Sequence, residues 1–144
     1  MNRAGGLWLL SILFLLRVLG QVAVVAWSPR FLPPIDRWQS GLLPYPALLV
    51  VQVLILIAMV WINLGIAGRR GVFAERRPRV GRTLLVLAII YGVAMVARYL
   101  LTGPLGDEGR LVPRRMIPIV FHLVLASYLA LIGLHFRGNL RESA

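Results

Sequence analysis

Residues 7–27 read LWLLSILFLLRVLGQVAVVAW, a run of 21 mostly apolar residues with Arg17 at its centre and Gln21 one helical turn later. At about 1.5 Å per residue, a helix of this length spans about 30 Å, the thickness of a bilayer's hydrocarbon core. Arg17 would then lie near the midplane, where insertion scales give a cation a cost of about 2.5–3.5 kcal/mol. The run therefore predicts a membrane-spanning helix whose central cation needs a polar partner, a water-filled cavity or a functional role.

The composition is that of an integral membrane protein, with 59% hydrophobic and 15% charged residues among 144 and a mean hydropathy of +0.81. The net charge of +11 would suggest nucleic acid in a soluble protein. Here the basic residues flank apolar runs, where membrane topology explains them better, and we expect no nucleic-acid partner. All 16 basic residues are Arg, which excludes a Schiff-base lysine. The absence of Cys excludes disulfides and thiolate metal sites.

Three further apolar runs follow, at residues 42–67, 83–102 and 116–136, and segments with Pro, Gly and charged residues separate them. Pro44 and Pro46 fall in the first turns of the second run, where a helix tolerates Pro. A cleaved signal peptide is the rival interpretation of the first run, but Arg17 interrupts its apolar region. The sequence therefore predicts an all-α, four-helix transmembrane bundle that forms a single domain over residues 1–144.

The distribution of Arg predicts the orientation of this bundle. Nine Arg lie in the N-terminal head, the segment 68–82 and the C-terminal tail, whereas the two other loops hold five. Short cytoplasmic loops carry the excess of basic residues in membrane proteins. We therefore expect a bacterial-type inner membrane protein with both termini and the Arg-rich loop 68–82 in the cytoplasm.

Polar residues recur within the apolar runs, at depths that place them in the middle or outer half of the membrane. Arg115 precedes His122 by seven residues and thus lies on the same helical face. If these faces point into one bundle, they line a polar cavity that opens to the outside. The candidate ligand-binding residues are Arg17, Gln21, Gln52, Arg98, Arg115 and His122.

The chemistry of this cluster favours an anionic ligand. No Asp or Glu occurs within any of the four runs, and an Arg side chain matches the oxygens of a carboxylate or phosphate in a bidentate manner. We therefore expect a non-enzymatic carrier, channel or accessory subunit that binds an anionic lipid or a small anionic ligand. Arg17 would supply the central charge, Arg98 and Arg115 the entry, Gln21 and Gln52 the orientation, and His122 a dependence on pH.

Other interpretations stay open. Arg17 could be purely structural, bonded to helix carbonyls and to Gln52. A quinone- or haem-associated redox subunit would use His122, Tyr128, Arg17 and Gln52. Both histidines cannot ligate one haem within a single chain, because His122 and His135 are 13 residues, or about 20 Å, apart on one helix. A lipid-modifying enzyme has the least support, since no catalytic acid or activated nucleophile is apparent, and two His without Cys make a metal site a poor prospect.

The sequence also indicates partners in the membrane. Small residues four apart, at Ala88/Gly92 and Ala126/Ala130, suit close helix packing, either within one chain or between copies in a homo-oligomer or a larger membrane complex. The four Trp fit interfacial anchors near the span ends. The Arg of segment 68–82 are mainly a topology signal, with binding to anionic lipid headgroups as a secondary effect.

Overall fold

The computed structural model describes residues 3–27, 44–102 and 116–138. These residues form four α-helices and one 3-10 turn at Gly71–Phe73: α1 is Arg3–Trp27, α2 is Tyr45–Ala67, α3 is Pro78–Thr102 and α4 is Met116–Arg137. All four helices are long and apolar enough to cross a membrane, which indicates a multi-pass membrane protein. Among the described residues, the predicted all-helical architecture with four helices that could span a membrane is therefore confirmed.

The helix boundaries differ from the prediction mainly at α3. This helix begins at Pro78 instead of Thr83, so Arg79 and Arg82 belong to its first turns and not to the preceding loop. A proline fits the first helical position because its fixed φ angle suits the helix and its missing N–H would have no partner there. The first turn is closed by the backbone N–H of Gly81, which donates to the carbonyl oxygen of Arg77 over an N–O distance of 2.9 Å.

Three hydrogen bonds show that the start of α1, the loop after α2 and the end of α4 meet at one end of the molecule, here called the loop end. Arg3 Nη1 donates to the carbonyl of Leu134 at 3.1 Å. His135 Nε2 lies 2.9 Å from the carbonyl oxygen of Phe73, and the backbone N–H of Arg77 donates to Phe136 at 3.0 Å. The helices therefore alternate in direction, and the Arg-rich loop shares its end with Arg3 and Arg137. The side of the membrane on which this end lies stays a prediction.

The core forms where α1 packs against both α2 and α4, while α3 packs along α4. One face of α1 is buried, with members three or four residues apart, as expected for a helix that turns one stripe toward its neighbours. These residues are Leu7, Ser11, Phe14, Arg17, Val18, Gln21 and Val24. The opposite face of α1 and most of α3 expose Leu, Ile and Val side chains, as suits contact with lipid.

Glycine allows α3 and α4 to approach closely. A Cβ atom added at Gly81 would lie 2.6 Å from the carbonyl oxygen of Gly133, and one added at Gly133 would lie 2.9 Å from that of Gly81. Gly92 faces Ala126 across the same interface, with 3.6 Å between an added Cβ and the alanine methyl carbon. The small residues at Gly92 and Ala126 thus serve a contact within the chain.

Phe73 anchors the loop between α2 and α3. Its ring lies edge-on to Trp61, with 5.2 Å between ring centroids, and stacks on Phe136 at 6.0 Å. Gly65 leaves room for it, because a Cβ there would lie 2.2 Å from the ring. The loop is therefore fixed to the core by an aromatic side chain.

Candidate functional site

Polar side chains form two separate layers inside the bundle. One, the closed network, consists of Ser11, Asn63 and Tyr128. The other surrounds a cavity, here called the central cavity, whose polar lining includes Gln52. Gln52 and Asn63 are eleven residues apart on α2, so the two layers are separated by about 16 Å along the helix axis.

The closed network joins three helices through short hydrogen bonds. Asn63 Nδ2 on α2 donates to Ser11 Oγ on α1 at 2.9 Å, and Ser11 Oγ donates to the carbonyl of Leu7 at 2.9 Å. The Tyr128 hydroxyl on α4 lies 2.9 Å from Asn63 Oδ1 and 3.0 Å from the carbonyl oxygen of Met59. All three polar side chains are buried, and each has a partner, which is what a polar group in a hydrocarbon environment requires.

The central cavity has a volume of about 170 Å³, and all four helices contribute to its wall. Its size is comparable to an engineered protein cavity of about 150 Å³ that binds benzene. The wall is mostly apolar and carries four residues able to form hydrogen bonds. The lining residues are Phe14, Arg17, Leu48, Val51, Gln52, Ile55, Tyr91, Phe121, His122 and Leu125.

Arg17 brings a cation to this wall. Its side chain is on the buried stripe of α1, and the residue is only 8% exposed. The guanidinium carbon lies 5.3 Å from the centroid of the Phe121 ring on α4, within the range of a cation–π contact. The face of the aromatic ring offers a cation partial compensation for lost water.

Gln52 is held by a second amide. Its Nε2 donates to Gln21 Oε1 on α1 at 2.8 Å, and the residue is 2% exposed. Gln52 Oε1 is also buried, and among the described residues no donor reaches it. An unsatisfied buried acceptor costs about 1–3 kcal/mol, so this oxygen is a point where a ligand or a water molecule would be stabilised.

Tyr91 and His122 form a pair between α3 and α4. The Tyr91 hydroxyl lies 2.5 Å from His122 Nδ1, and the two rings meet edge to face with 5.8 Å between centroids. When the tyrosine donates to Nδ1, the proton of a neutral imidazole resides on Nε2. The pair therefore fixes the orientation of the ring and gives His122 a donor of its own.

The structure brings together most of the predicted ligand-binding residues. Arg17, Gln52 and His122 line one cavity, and Gln21 is bonded to Gln52. Arg98 is half-buried on α3 and is not part of the cavity wall. Arg115 lies outside the described residues.

Two contributors were not predicted, Tyr91 and Phe121. Tyr91 stands out in the sequence as a polar aromatic residue within an apolar run, and a search for histidine partners could have singled it out. Phe121 carries no such signal, because a Phe in an apolar helix is ordinary. Only the packing of α4 against α1 places its ring beside Arg17.

In residues 3–27, 44–102 and 116–138, no group of three or more His, Cys, Asp or Glu side chains could hold a metal ion. A haem macrocycle exceeds the volume of the central cavity, whereas a single ring with polar substituents matches it.

Comparison with known protein families, with curated proteins and with solved structures finds no match to this chain.

Proposed function

We propose that this protein is a small non-enzymatic membrane protein that binds an anionic group in the central cavity. The group is a carboxylate or phosphate, carried either by a small water-soluble molecule or by a lipid. The observation that supports this proposal best is the presence of the Arg17 guanidinium on the wall of a cavity that also presents Gln52, Tyr91 and His122. Arg17 would provide the positive charge, and the other three side chains would orient the ligand.

The charge of the helices supports an anion. The four helices contain no Asp or Glu, and Arg17 lies in the middle of α1. A charged side chain at this depth is expensive and most often marks a binding or transport pathway. A bound anion would balance this charge, and the oxygens of a carboxylate or phosphate match the geometry of a guanidinium group.

The acceptor oxygen of Gln52 refines the expected ligand. A simple anion offers only acceptors, which Gln52 Oε1 does not stabilise. A ligand that carries both an anionic oxygen and a hydroxyl or N–H donor would satisfy Arg17 and Gln52 together. Hydroxycarboxylates and singly protonated phosphate groups have this chemistry.

The position of the cavity supports access from the side opposite the Arg-rich loop. Gln52 lies fifteen residues before Ala67, so it is about 22 Å from the loop end along α2. With the orientation predicted from the distribution of Arg, this half of the bundle is the outer half. Arg98, near the same end of α3, would attract an anion toward the opening, in keeping with a carrier, a channel or an accessory subunit.

Thermal unfolding of the purified chain in detergent tests this proposal with two isosteric probes. Benzoate and benzamide have the same size, and only benzoate carries a charge. We expect benzoate to raise the unfolding temperature of the natural protein, benzamide to have little effect, and 3-hydroxybenzoate to exceed benzoate because of its added donor. A ligand at 100 times its Kd stabilises a protein by about 2.7 kcal/mol.

The Arg17→Leu variant should lose the response to benzoate, whereas Arg82→Leu, which removes an exposed Arg of α3, should retain it. An equal response in the natural protein and in Arg17→Leu would reject the proposal.

Native mass spectrometry of protein released gently from membranes separates the two sources of the anion. A stoichiometric lipid adduct that disappears in Arg17→Leu identifies a lipid, while a soluble ligand leaves no lipid mass at this site.

A quinone is the second candidate ligand, and the Tyr91–His122 pair is the observation that favours it. A quinone carbonyl accepts hydrogen bonds from neutral donors, and the Nε2–H of His122, whose ring Tyr91 orients, supplies one. The apolar part of the wall would accommodate the ring. Solvent extraction of the purified protein followed by chromatography would detect a bound quinone, and a visible absorption spectrum would detect haem.

A further inference from the structure

A second recess lies on the outer surface between α1 and α2, and it shares no lining residue with the central cavity. Its volume is about 470 Å³. The wall is apolar apart from the Ser11 hydroxyl, which is bonded within the closed network. It is formed by Trp8, Ser11, Ile12, Leu15, Leu56, Ile57, Val60, Trp61 and Leu64.

This recess continues toward the loop end. A neighbouring hollow of about 490 Å³ shares Trp61 and Leu64 with it and is completed by the loop residues Arg70 and Phe73. We call the two together the side groove. From Leu64 to Leu56 the groove follows α2 for eight residues, or about 12 Å. It therefore combines a long apolar wall with a cation at one end.

The loop end surrounds this cation with positive charge. Segment 69–82 contains six Arg and one acid, Glu75, whose carboxylate already lies 2.9 Å from Arg77. Arg70 lies over the end of α2, because a Cβ at Gly68 would be only 3.3 Å from its Cγ and Nε atoms. Glu75 is thus engaged elsewhere, and the end of the groove is strongly basic.

Two tryptophans give the groove a defined shape. Trp61 is held edge-on to Phe73, which is itself buried in the core, and Trp8 contributes the α1 side of the groove. Tryptophan is the residue that membrane proteins place at the level of lipid headgroups. A concave apolar wall with tryptophan near its basic end is complementary to an amphiphile whose polar end is anionic.

We propose that the side groove binds one anionic phospholipid, with its phosphate at Arg70 and one acyl chain along Leu64, Trp61 and Ile57. The lipid comes from the leaflet adjacent to the Arg-rich loop. The site differs in place and in chemistry from the central cavity, which has room for an anionic headgroup but not for the two acyl chains of a lipid. It also differs from general attraction to a basic surface, because a single arginine at the end of a groove decides its selectivity.

Quenching of tryptophan fluorescence by brominated lipids tests this proposal with the full chain in vesicles. The probes are brominated phosphatidylglycerol and brominated phosphatidylcholine with identical acyl chains. The quenching of Trp61 itself is obtained as the difference between the natural protein and the Trp61→Phe variant. From this quenching we expect the anionic lipid to bind about fivefold more tightly than the zwitterionic one, which is the effect of one arginine near a membrane surface. Arg70→Gln should bring this ratio close to one, and Arg82→Gln, the matched control outside the groove, should leave it unchanged.

A ratio near one in the natural protein would overturn the proposal, and so would an equal fall in both Arg variants, since that would indicate diffuse charge. Val60→Phe tests the apolar wall without changing the charge, because the larger side chain narrows the groove. Quenching of Trp61 should fall in this variant. Val86→Phe, on the exposed face of α3, is the control and should leave the quenching unchanged. If the natural chain forms a dimer in these vesicles that Val60→Phe abolishes, a second copy occupies the groove and the lipid proposal is wrong.

Discussion

The closed network and the central cavity use similar residues to opposite effect. Each contains an amide from α2, a tyrosine and a polar residue from the buried stripe of α1: Asn63, Tyr128 and Ser11 in one layer, and Gln52, Tyr91 and Arg17 in the other. In the closed network every polar side chain is paired over 2.9–3.0 Å. In the central cavity the same classes of side chain surround about 170 Å³ of space.

If the central cavity binds a ligand as proposed, the two layers separate stability from binding. A polar network without spare volume holds helices together and leaves nothing for a ligand to satisfy. The central cavity instead has a cation and a buried acceptor, Gln52 Oε1, that no donor among the described residues reaches. Such an acceptor costs about 1–3 kcal/mol, which a ligand that donates to it would offset. Substitutions in the closed network should therefore lower the free energy of unfolding without changing the response to a ligand. Substitutions in the central cavity should mainly change the response to a ligand.

The largest contrast is expected for Arg17→Leu. If Arg17 serves a ligand, its replacement removes a buried cation, and the ligand-free protein should gain about 1–3 kcal/mol in unfolding free energy. Chemical denaturation in mixed micelles, without added anions, measures this change. A loss of stability instead would mean that Arg17 holds the helices together and is a structural residue.

The second contrast compares Asn63→Leu with Gln52→Leu. Asn63→Leu removes the link between Ser11 and Tyr128, and we expect a loss of about 1–2 kcal/mol in unfolding free energy with an unchanged response to benzoate. Gln52→Leu removes the hydrogen bond to Gln21 but also removes an acceptor that lacks a donor among the described residues. Because these two effects oppose each other, the free energy of unfolding of this variant should change less. Its response to 3-hydroxybenzoate should fall to that for benzoate. Equal behaviour of the two variants in both assays would contradict the division into two layers.

The smallest contrast comes from deleting one hydroxyl in each layer. Tyr128→Phe should lower the free energy of unfolding by about 1 kcal/mol, with no effect on the apparent Kd of benzoate. Tyr91→Phe should cost less stability but weaken benzoate binding severalfold, because His122 would lose its orienting partner. Titrations followed by thermal shift, carried out on both variants side by side, would measure the two quantities together. A weaker affinity in Tyr128→Phe alone would reverse the assignment of the layers.

Much of the candidate site could be inferred from the sequence because charge and amide groups are conspicuous in apolar runs. Arg17, Gln52 and His122 line one cavity. Their depths follow from helix length and their faces from helical spacing, while ligand binding by these residues stays a prediction. Asn63 is the second amide in the same apolar run as Gln52, and it bonds to both α1 and α4. The start of α3 was placed five residues late, because a basic segment with Pro resembles a loop until its hydrogen bonds are known.

The partners of these residues depend on how each helix is rotated about its axis and on which helices are neighbours. The hydrophobic periodicity of the sequence specifies neither. That Phe121 covers Arg17 depends on α4 packing against α1. That Tyr91 pairs with His122 and that Arg98 is not part of the cavity wall depend on α3 packing against α4. The same packing depends on Gly81 and Gly133, two glycines that the sequence does not distinguish from others.

The sequence by itself determined four apolar helices, an intramembrane cation without acids in the same helices, and the uneven distribution of Arg between loops. These follow from composition and helix length, which are local properties of the chain. Only the tertiary structure decided which polar residues are mutually satisfied and which border a cavity, because both depend on side-chain distances of about 3 Å between helices. It also decided that α1 and α2 leave a groove with a cation at its end, since a concave surface exists only after the helices have packed.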